Sequence, residues 1–524
     1  MSVLIFLIVY YLLLSASLYL LFVKAGEDGW KALVPGYNFT VWCRLIGRKE
    51  LWALLLLVPI VNIFILAGLC VDLVRSFGKY DFGNSALAVI YAPIPFFRIA
   101  MDKEAKYLGQ TLAMEKEYVD KMKEAEVSGD KLALTRLKTE NPYAKSVGRE
   151  WVEAIVFAVF AAAFIRMFLI EAYVIPTPSM ESSLLVGDFL FVSKAHYGIR
   201  TPMTVAQFPL IHNTLPFVGS ESYLKKPNLP YNRLPAIEKV ARNAPVVFNY
   251  PEGDSIYITP QRNFSYYDVK RSGSEAQFRG YGLRVRPIDK KDHYIKRCVA
   301  LPGDKLEIKD GQIYIDDKMG TNPTNVQFSY FVRSENGTGV SENRLAEMGV
   351  NQIDIANFRR SKMLHLNAAQ VKKIESFSGV TVERNRPQPR PNSIFPHDQK
   401  NYGSWTVDNY GPVVVPKKGE SIVITPNNLS LYRRIITVYE GNDLSVKSGR
   451  IYINGQQAAK YTFQQDYYWM MGDNRHNSED SRFWGFVPED HIVGKPLFIW
   501  FSTKNGSIFN GINWSRLFTS ANKM

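Results

Sequence analysis

Uncharged apolar residues gather in the first third of the chain. Met1 to Val23 and Leu51 to Val71 carry no charged side chain, and each is long enough to cross about 30 Å of hydrocarbon as a helix. Phe82 to Phe97 is a shorter uncharged run and contains Pro93 and Pro95. Ala154 to Ile170 is interrupted only by Arg166, near one end, where a guanidinium can reach the polar boundary. The first run lacks the basic n-region and small-x-small cleavage site of a secretory leader, so it reads as an anchor. Residues 102–150 are rich in Lys, Glu, Ala and Leu, which predicts a solvated helix or a helical hairpin turning near Gly129. Beyond Glu171 short β-branched runs alternate with Gly and Pro, as at 189–192, 246–248, 255–258 and 312–315. That pattern predicts mainly antiparallel β structure.

An internal similarity organises the second half. The stretch 301–315 is echoed by 439–453, and 253–260 by 419–426, which suggests a duplicated β unit. The register sets Arg434 opposite Lys296. Arginine stays protonated in proteins, so the second copy reads as structural. The expected fold class is a mainly β catalytic domain with β-rich insertions, preceded by N-terminal transmembrane α-helices. The expected organisation is a membrane region at 1–100 with two or three transmembrane helices, a charged helical cytoplasmic linker at 101–150, and an anchor at 151–172. A first part of the β core then occupies 173–320, with an insertion at about 201–240. An inserted β-rich region containing the partial repeat fills 321–460, with 384–391 as a loop, and the core resumes over 461–524.

Charge refines the picture. The formal net charge of +14 invites a polyanionic partner. The basic residues are scattered, without an aromatic-interleaved basic motif, so a lipid surface suits them better than nucleic acid. Lys24, Lys31, Arg44, Arg48 and Lys49 follow the first apolar run and favour a cytoplasmic loop. That accounting places the amino terminus outside, provided the run at 82–97 spans. Cys43, Cys70 and Cys298 imply no paired framework, and an unpaired thiol outside is tolerable only when buried. The seven histidines show no metal-ligand spacing, so neither metal nor cofactor is expected.

Three strings carry the chemistry. Pro176-Thr177-Pro178-Ser179-Met180 lies just beyond the fourth apolar run, Tyr294-Ile295-Lys296-Arg297 lies in a strand-like stretch, and Gly472-Asp473-Asn474-Arg475-His476-Asn477-Ser478-Glu479-Asp480-Ser481-Arg482 follows near the end. Serine needs a base to take its proton. Lysine can serve once burial disfavours its ammonium, and lowering its pKa from about 10.4 by about two units costs roughly 2.7 kcal/mol. Strand alternation sends Arg297 to the face opposite Lys296. Ser222-Tyr223-Leu224-Lys225 also matches Ser-x-x-Lys but has no companion motifs.

In this order, behind a membrane segment, the strings resemble those of type I signal peptidases (leader peptidases), over roughly 151–200, 241–318 and 461–505. The resemblance implies signal-peptidase-like antiparallel β sheets on the extracytoplasmic (periplasmic) face of the bacterial inner membrane. It implies cleavage of signal peptides from secretory preproteins after small residues. By motif position it implies Ser179 as nucleophile, Lys296 as general base, and Ser478 as the hydroxyl that positions the lysine. Thr177, with the Ser179 backbone N–H, falls where the oxyanion hole is built, and Asp480 and Arg482 match the bracing pair. Ile175, Met180, Leu184, Tyr294 and Ile295 align with pocket-lining residues. His476 stands where the family commonly has aspartate, and Thr177 replaces the more frequent serine. A self-cleaving Ser/Lys protease and an inactive membrane scaffold are the competing readings. Phe509 to Phe518, with Trp514 and Arg516, is aromatic and basic enough to lie against head groups.

Overall fold

The computed structural model describes residues 2–58, 61–216, 219–260, 262–334, 340–390 and 392–522. Met1 in the first apolar run, Pro59 and Ile60 in the second, and Pro391 in the expected loop lie outside them. The chain divides into two compact units, Met1–Ala158 and Val159–Met524.

The first unit is helical. The first apolar run forms the helix Ser2–Lys24, and its buried side, with Leu14, Leu18 and Phe22, shares a core with Trp42, Leu69 and Phe96. The second run is not one helix. It forms a 3-10 segment, Glu50–Leu57, and then a helix, Val61–Ser76. Val58 is extended (φ −84°, ψ 112°), as steric restriction of the residue before a proline requires. The third run is split into Phe82–Tyr91 and Pro93–Met101, with Pro93 starting the second helix. Ala92 between them keeps helical angles (φ −50°, ψ −36°), so the two helices follow one another directly. The charged stretch forms Thr111–Val127 and Lys131–Thr139, which meet at Gly129 (φ 71°), where Asp130 caps the second helix. Among the described residues, one helix is long and apolar enough to cross a membrane: Val147–Phe168.

The second unit is built on an eight-stranded sheet. Its strands, in chain order, are β1 (Ile170–Val174), β2 (Asp188–Ser193), β3 (Pro245–Asn249), β4 (His293–Ala300), β5 (Tyr467–Met471), β6 (Val487–Pro488), β7 (Ile492–Ser502) and β8 (Thr519–Ser520). They lie in the order β1-β2-β7-β3-β4-β5-β6, with β8 paired to β7, and every pairing is antiparallel. Gly494 on β7 passes so close to β2 that a Cβ there would lie 2.3 Å from the Ser193 carbonyl oxygen.

Both repeat copies form hairpins in matching register. Leu306 faces Ile315 and Lys309 faces Gln312; Leu444 faces Ile453 and Lys447 faces Arg450. Their apolar residues, including Ile308, Ile313 and Ile451, enter one core with Trp469 and Phe486. Arg434 lies on a helix, Leu429–Arg434, where its guanidinium holds Asp254 at 2.5 Å. The interval 321–405 is not uniformly β-rich. Strands Phe328–Ser334, Met363–Leu366 and Val380–Arg384 form a sheet packed with the helices Glu342–Glu347, Gln352–Ser361 and Ala368–Glu375 around Leu345, Leu364 and Ile374. Asn367 and Gln370 make a capping box at the third helix.

Candidate active site

Ser179 sits in a one-turn 3-10 segment, Pro178–Met180, that follows β1, and its side chain is buried. Proline fixes the φ angle at the first position of that turn. Lys296 lies in the middle of β4 and is 4% exposed. Its Nζ stands 2.7 Å from Ser179 Oγ and 3.1 Å from the Ile295 carbonyl oxygen. The Tyr294 ring lies under it, 5.6 Å from Nζ to centroid, stacked in turn on Tyr250 at 4.7 Å. Burial lowers the Lys296 pKa to about 8, against an upward pull from Asp480, Glu479 and Asp473. A hydroxyl and an amine of reduced basicity in contact can pass a proton between them.

The Gly472–Arg482 segment wraps this pair from the end of β5. The Asn474 N–H donates to the Ser179 carbonyl (3.1 Å), and Asn474 Nδ2 donates to the Pro178 carbonyl (3.1 Å). Gly472 allows this approach, since a Cβ there would lie 2.2 Å from Ser478 Oγ and 2.5 Å from the Ser179 oxygen. Asp480 and Arg482 form a bidentate pair at 2.8 and 2.7 Å, both fully buried. Burial works against the ionised carboxylate, yet Arg482 outweighs it and holds Asp480 below the usual range, with help from the Gly472 N–H and the Ser478 hydroxyl. Arg482 also donates to the Arg475 carbonyl at 2.6 Å, closing the segment on itself.

The sequence-derived candidates divide. Ser179, Lys296, Ser478, Asp480 and Arg482 come together, and Thr177 Oγ1 lies 3.4 Å from Ser179 Oγ. The Ser478 hydroxyl, however, donates to the Glu479 carbonyl at 3.5 Å, and the hydrogen bonds of Lys296 run to Ser179 and Ile295. Ile175, Met180, Leu184 and Ile295 share one apolar cluster with Tyr173. Tyr294 belongs to another, with Tyr250 and Trp484, because alternation along β4 sends it to the Lys296 side.

Three features were missed in the motif reading. Asn474 is one. A second buried bidentate pair, Arg297 to Asp473 at 2.8 and 2.6 Å, is another, with Ser183 donating to Asp473 at 2.6 Å. Both partners adjoin motif residues, which was the available signal. Glu181 is the third: buried, with one carboxylate oxygen lacking a hydrogen-bond partner, its pKa is raised to about 7 by burial. His476 accepts from the Ser329 N–H at Nδ1 (3.2 Å) and reaches Asp408 through Nε2 (2.9 Å), which assigns the neutral Nε2–H tautomer. Among the described residues no group of His, Cys, Asp and Glu could hold a metal ion, and all three cysteines are buried and free.

The family model described as signal peptidase, peptidase S26, matches residues 148–385 and 456–501, more than half of the chain. A family of unknown function, DUF5684, matches residues 30–110. Signal peptidase I of Buchnera aphidicola subsp. Acyrthosiphon pisum is 26% identical over 355 residues, covering 67% of this chain and 74% of that protein. Signal peptidase I of Haemophilus influenzae is 25% identical over 374 residues (70% and 74%), and that of Aquifex aeolicus 23% over 363 residues (69% and 87%). Fold, span and matches together define a membrane-anchored serine peptidase. The chain belongs to the signal peptidase I, peptidase S26, family.

Proposed function

We propose that this protein removes N-terminal signal peptides from secretory preproteins, cutting after small residues by a Ser/Lys mechanism. Ser179 Oγ attacks the scissile carbonyl carbon while its proton moves to neutral Lys296 Nζ. The resulting ammonium returns the proton to the leaving amine as the carbon–nitrogen bond breaks. A water, deprotonated by the same amine, then attacks the acyl-enzyme and restores the serine. The Thr177 hydroxyl and the Ser179 backbone N–H receive the oxyanion, and a donor of this kind is worth about 3–4 kcal/mol in the transition state. Asp480–Arg482 and Arg297–Asp473 hold the two strands of the site in place. Ser478 acts on Lys296 indirectly, through the segment that carries Asp480. Ile175, Met180, Leu184 and Ile295 offer the apolar walls for a small side chain.

The observation that carries this reading is the 2.7 Å approach of Lys296 Nζ to Ser179 Oγ, with the amine almost wholly buried. Ser179 follows Ile170 by nine residues, so the tether holds it within about 30 Å of the membrane boundary. A membrane-embedded signal sequence presents its cleavage site in that same layer, which lowers the entropy cost of encounter. The proposed setting is the bacterial inner membrane, crossed more than once, with residues 173–524 on the periplasmic side and 509–518 against head groups. Cleavage of a synthetic peptide containing Ala-x-Ala by the purified full chain, lost in Ser179→Ala with folding intact, is the expected result. Equal cleavage by that variant removes the mechanism.

A further inference from the structure

Residues 200–216 and 219–233 leave the sheet between β2 and β3 as an irregular antiparallel ribbon. Arg200 bridges Arg233, Thr204 bridges Asn228, Gln207 bridges Tyr223, and Thr214 bridges Glu221. Its base is fixed to the body: Thr204 donates to Asp289 at 2.8 and 2.7 Å, and Arg200 to the Asp490 carbonyl at 2.8 Å. Farther out the ribbon holds its apolar side chains outward. Val205 is 52% exposed, Phe208 57%, Leu210 45% and Leu224 65%. Side chains of this size gain about 1.5–3 kcal/mol each when fully removed from water, so leaving four of them uncovered on one short ribbon is costly. Lys225, half exposed, follows Leu224 directly.

The position of the ribbon identifies what covers it. Arg166 lies in the last turn of the membrane helix Val147–Phe168, and its Nη1 donates to the Leu210 carbonyl at 2.7 Å. The same guanidinium holds Glu171 at 2.8 Å, at the start of β1. The Leu210 loop therefore stands within one arginine side chain of the place where the span leaves the hydrocarbon. An apolar edge at that level, with lysine beside it, matches the boundary between acyl chains and head groups.

We propose that the 200–233 ribbon lies on the lipid bilayer, with Val205, Phe208, Leu210 and Leu224 entering its surface beside helix Val147–Phe168. A contact at the ribbon adds to the hold of the helix and limits the height and tilt of the sheet. The inference requires that the helix crosses the bilayer but not the Ser/Lys chemistry, so the two readings fail separately.

The test uses the full-length protein in phosphatidylcholine vesicles, with Phe208→Cys or Leu224→Cys carrying an environment-sensitive fluorophore. The buried native cysteines spare the label for the introduced thiol. Val446→Cys, at a 42% exposed position on the hairpin of the second repeat copy, serves as the control. Probes at 208 and 224 are expected to emit at shorter wavelength than at 446. Lipids brominated on their acyl chains are expected to quench them, and aqueous iodide to leave them bright. Quenching by iodide to the extent seen at 446 places the ribbon in water and overturns the proposal. Quenching by neither agent means that protein covers the ribbon, which overturns it equally.

Discussion

Lys291 and Lys296 stand in one stretch of chain, both almost fully buried, and burial lowers both pKa values to about 8. Their surroundings differ. Lys291 Nζ meets the Pro251 carbonyl at 3.2 Å and His491 Nε2 at 2.8 Å, with Asp254 at 4.0 Å; behind it His491 Nδ1 holds Asp490 at 2.5 Å. Lys296 meets a serine hydroxyl and one carbonyl, and the nearest carboxylates are engaged elsewhere, Asp473 by Arg297 and Asp480 by Arg482. Burial sets how readily each amine gives up its proton. Partners decide what that readiness is for. At Lys291 acceptors consume the ammonium in a structural chain, while at Lys296 the adjacent group is one that chemistry can use.

The sharpest way to break this contrast is to remove each amine in turn. Lys296→Met is expected to lower peptide turnover by roughly 10²–10⁴-fold, the usual worth of a positioned base, in protein that keeps its circular dichroism spectrum. Lys291→Met is expected to keep turnover per folded molecule within a few-fold. Comparable losses in both folded variants would mean that the two sites act as one.

Stability should reverse the ranking. Without Lys291, His491 Nε2 loses its hydrogen-bond partner and Asp254 loses a nearby charge, a cost of about 1–3 kcal/mol for unsatisfied buried groups. Without Lys296, a buried amine disappears and Ser179 keeps its place beside Thr177, so the cost should be near zero. Thermal unfolding in detergent measures both, and a larger drop for Lys296→Met would contradict the assignment.

The pH dependence separates the sites again. Lys296 must be neutral to accept a proton, so turnover should rise through about pH 8 and level off above it. That limb should survive Lys291→Met unmoved. Each lysine is near 10.4 when unfolded and about 8 when folded. Between those values the unfolded chain binds more protons, so stability climbs with pH across the window. Each variant should lose its own share of that climb, seen in Tm measured from pH 8 upward.

The contrast also marks what could be read from the sequence. The Ser179, Lys296 and Gly472–Arg482 strings announce themselves because each packs several functional groups into a few consecutive residues. The Lys291–His491–Asp490 chain does not, since its partners meet only after β4 and β7 are laid down. Asn474 was in view, but its role depends on the turn at Pro178 reaching it across the fold. Tyr294 was readable as a residue of the site, and period-two alternation adds that it shares the face of Lys296 and not that of Ile295. In the interval 321–405, polar composition hid helices whose caps, Ser341, Asn351 and Asn367, stand in plain order before them. The run at 51–71 was read as uniform because hydropathy ignores what Pro59 does to the residue before it.

The smallest expected effect concerns a histidine that adjoins the proposed site without serving it. Burial lowers the His476 pKa, against the pull of Asp408, and Arg384 stands on the far side of that carboxylate. The unfolded imidazole, near 6.5, binds a proton before the folded one does. Stability is therefore lost as pH falls below about 6.5, and His476→Gln should remove a fraction of that acid loss while His212, His293, His397 and His491, lowered in the same direction by burial, keep the remainder. The limb of turnover near pH 8 should not move, because no hydrogen bond joins His476 to Lys296 among the described residues. Tm followed from pH 7 down to 5, alongside peptide turnover from pH 7 to 9, checks both parts. A shifted alkaline limb in His476→Gln would show that the imidazole tunes the Lys296 amine, and the line drawn here between lowered proton affinity and its use would have to include a third group.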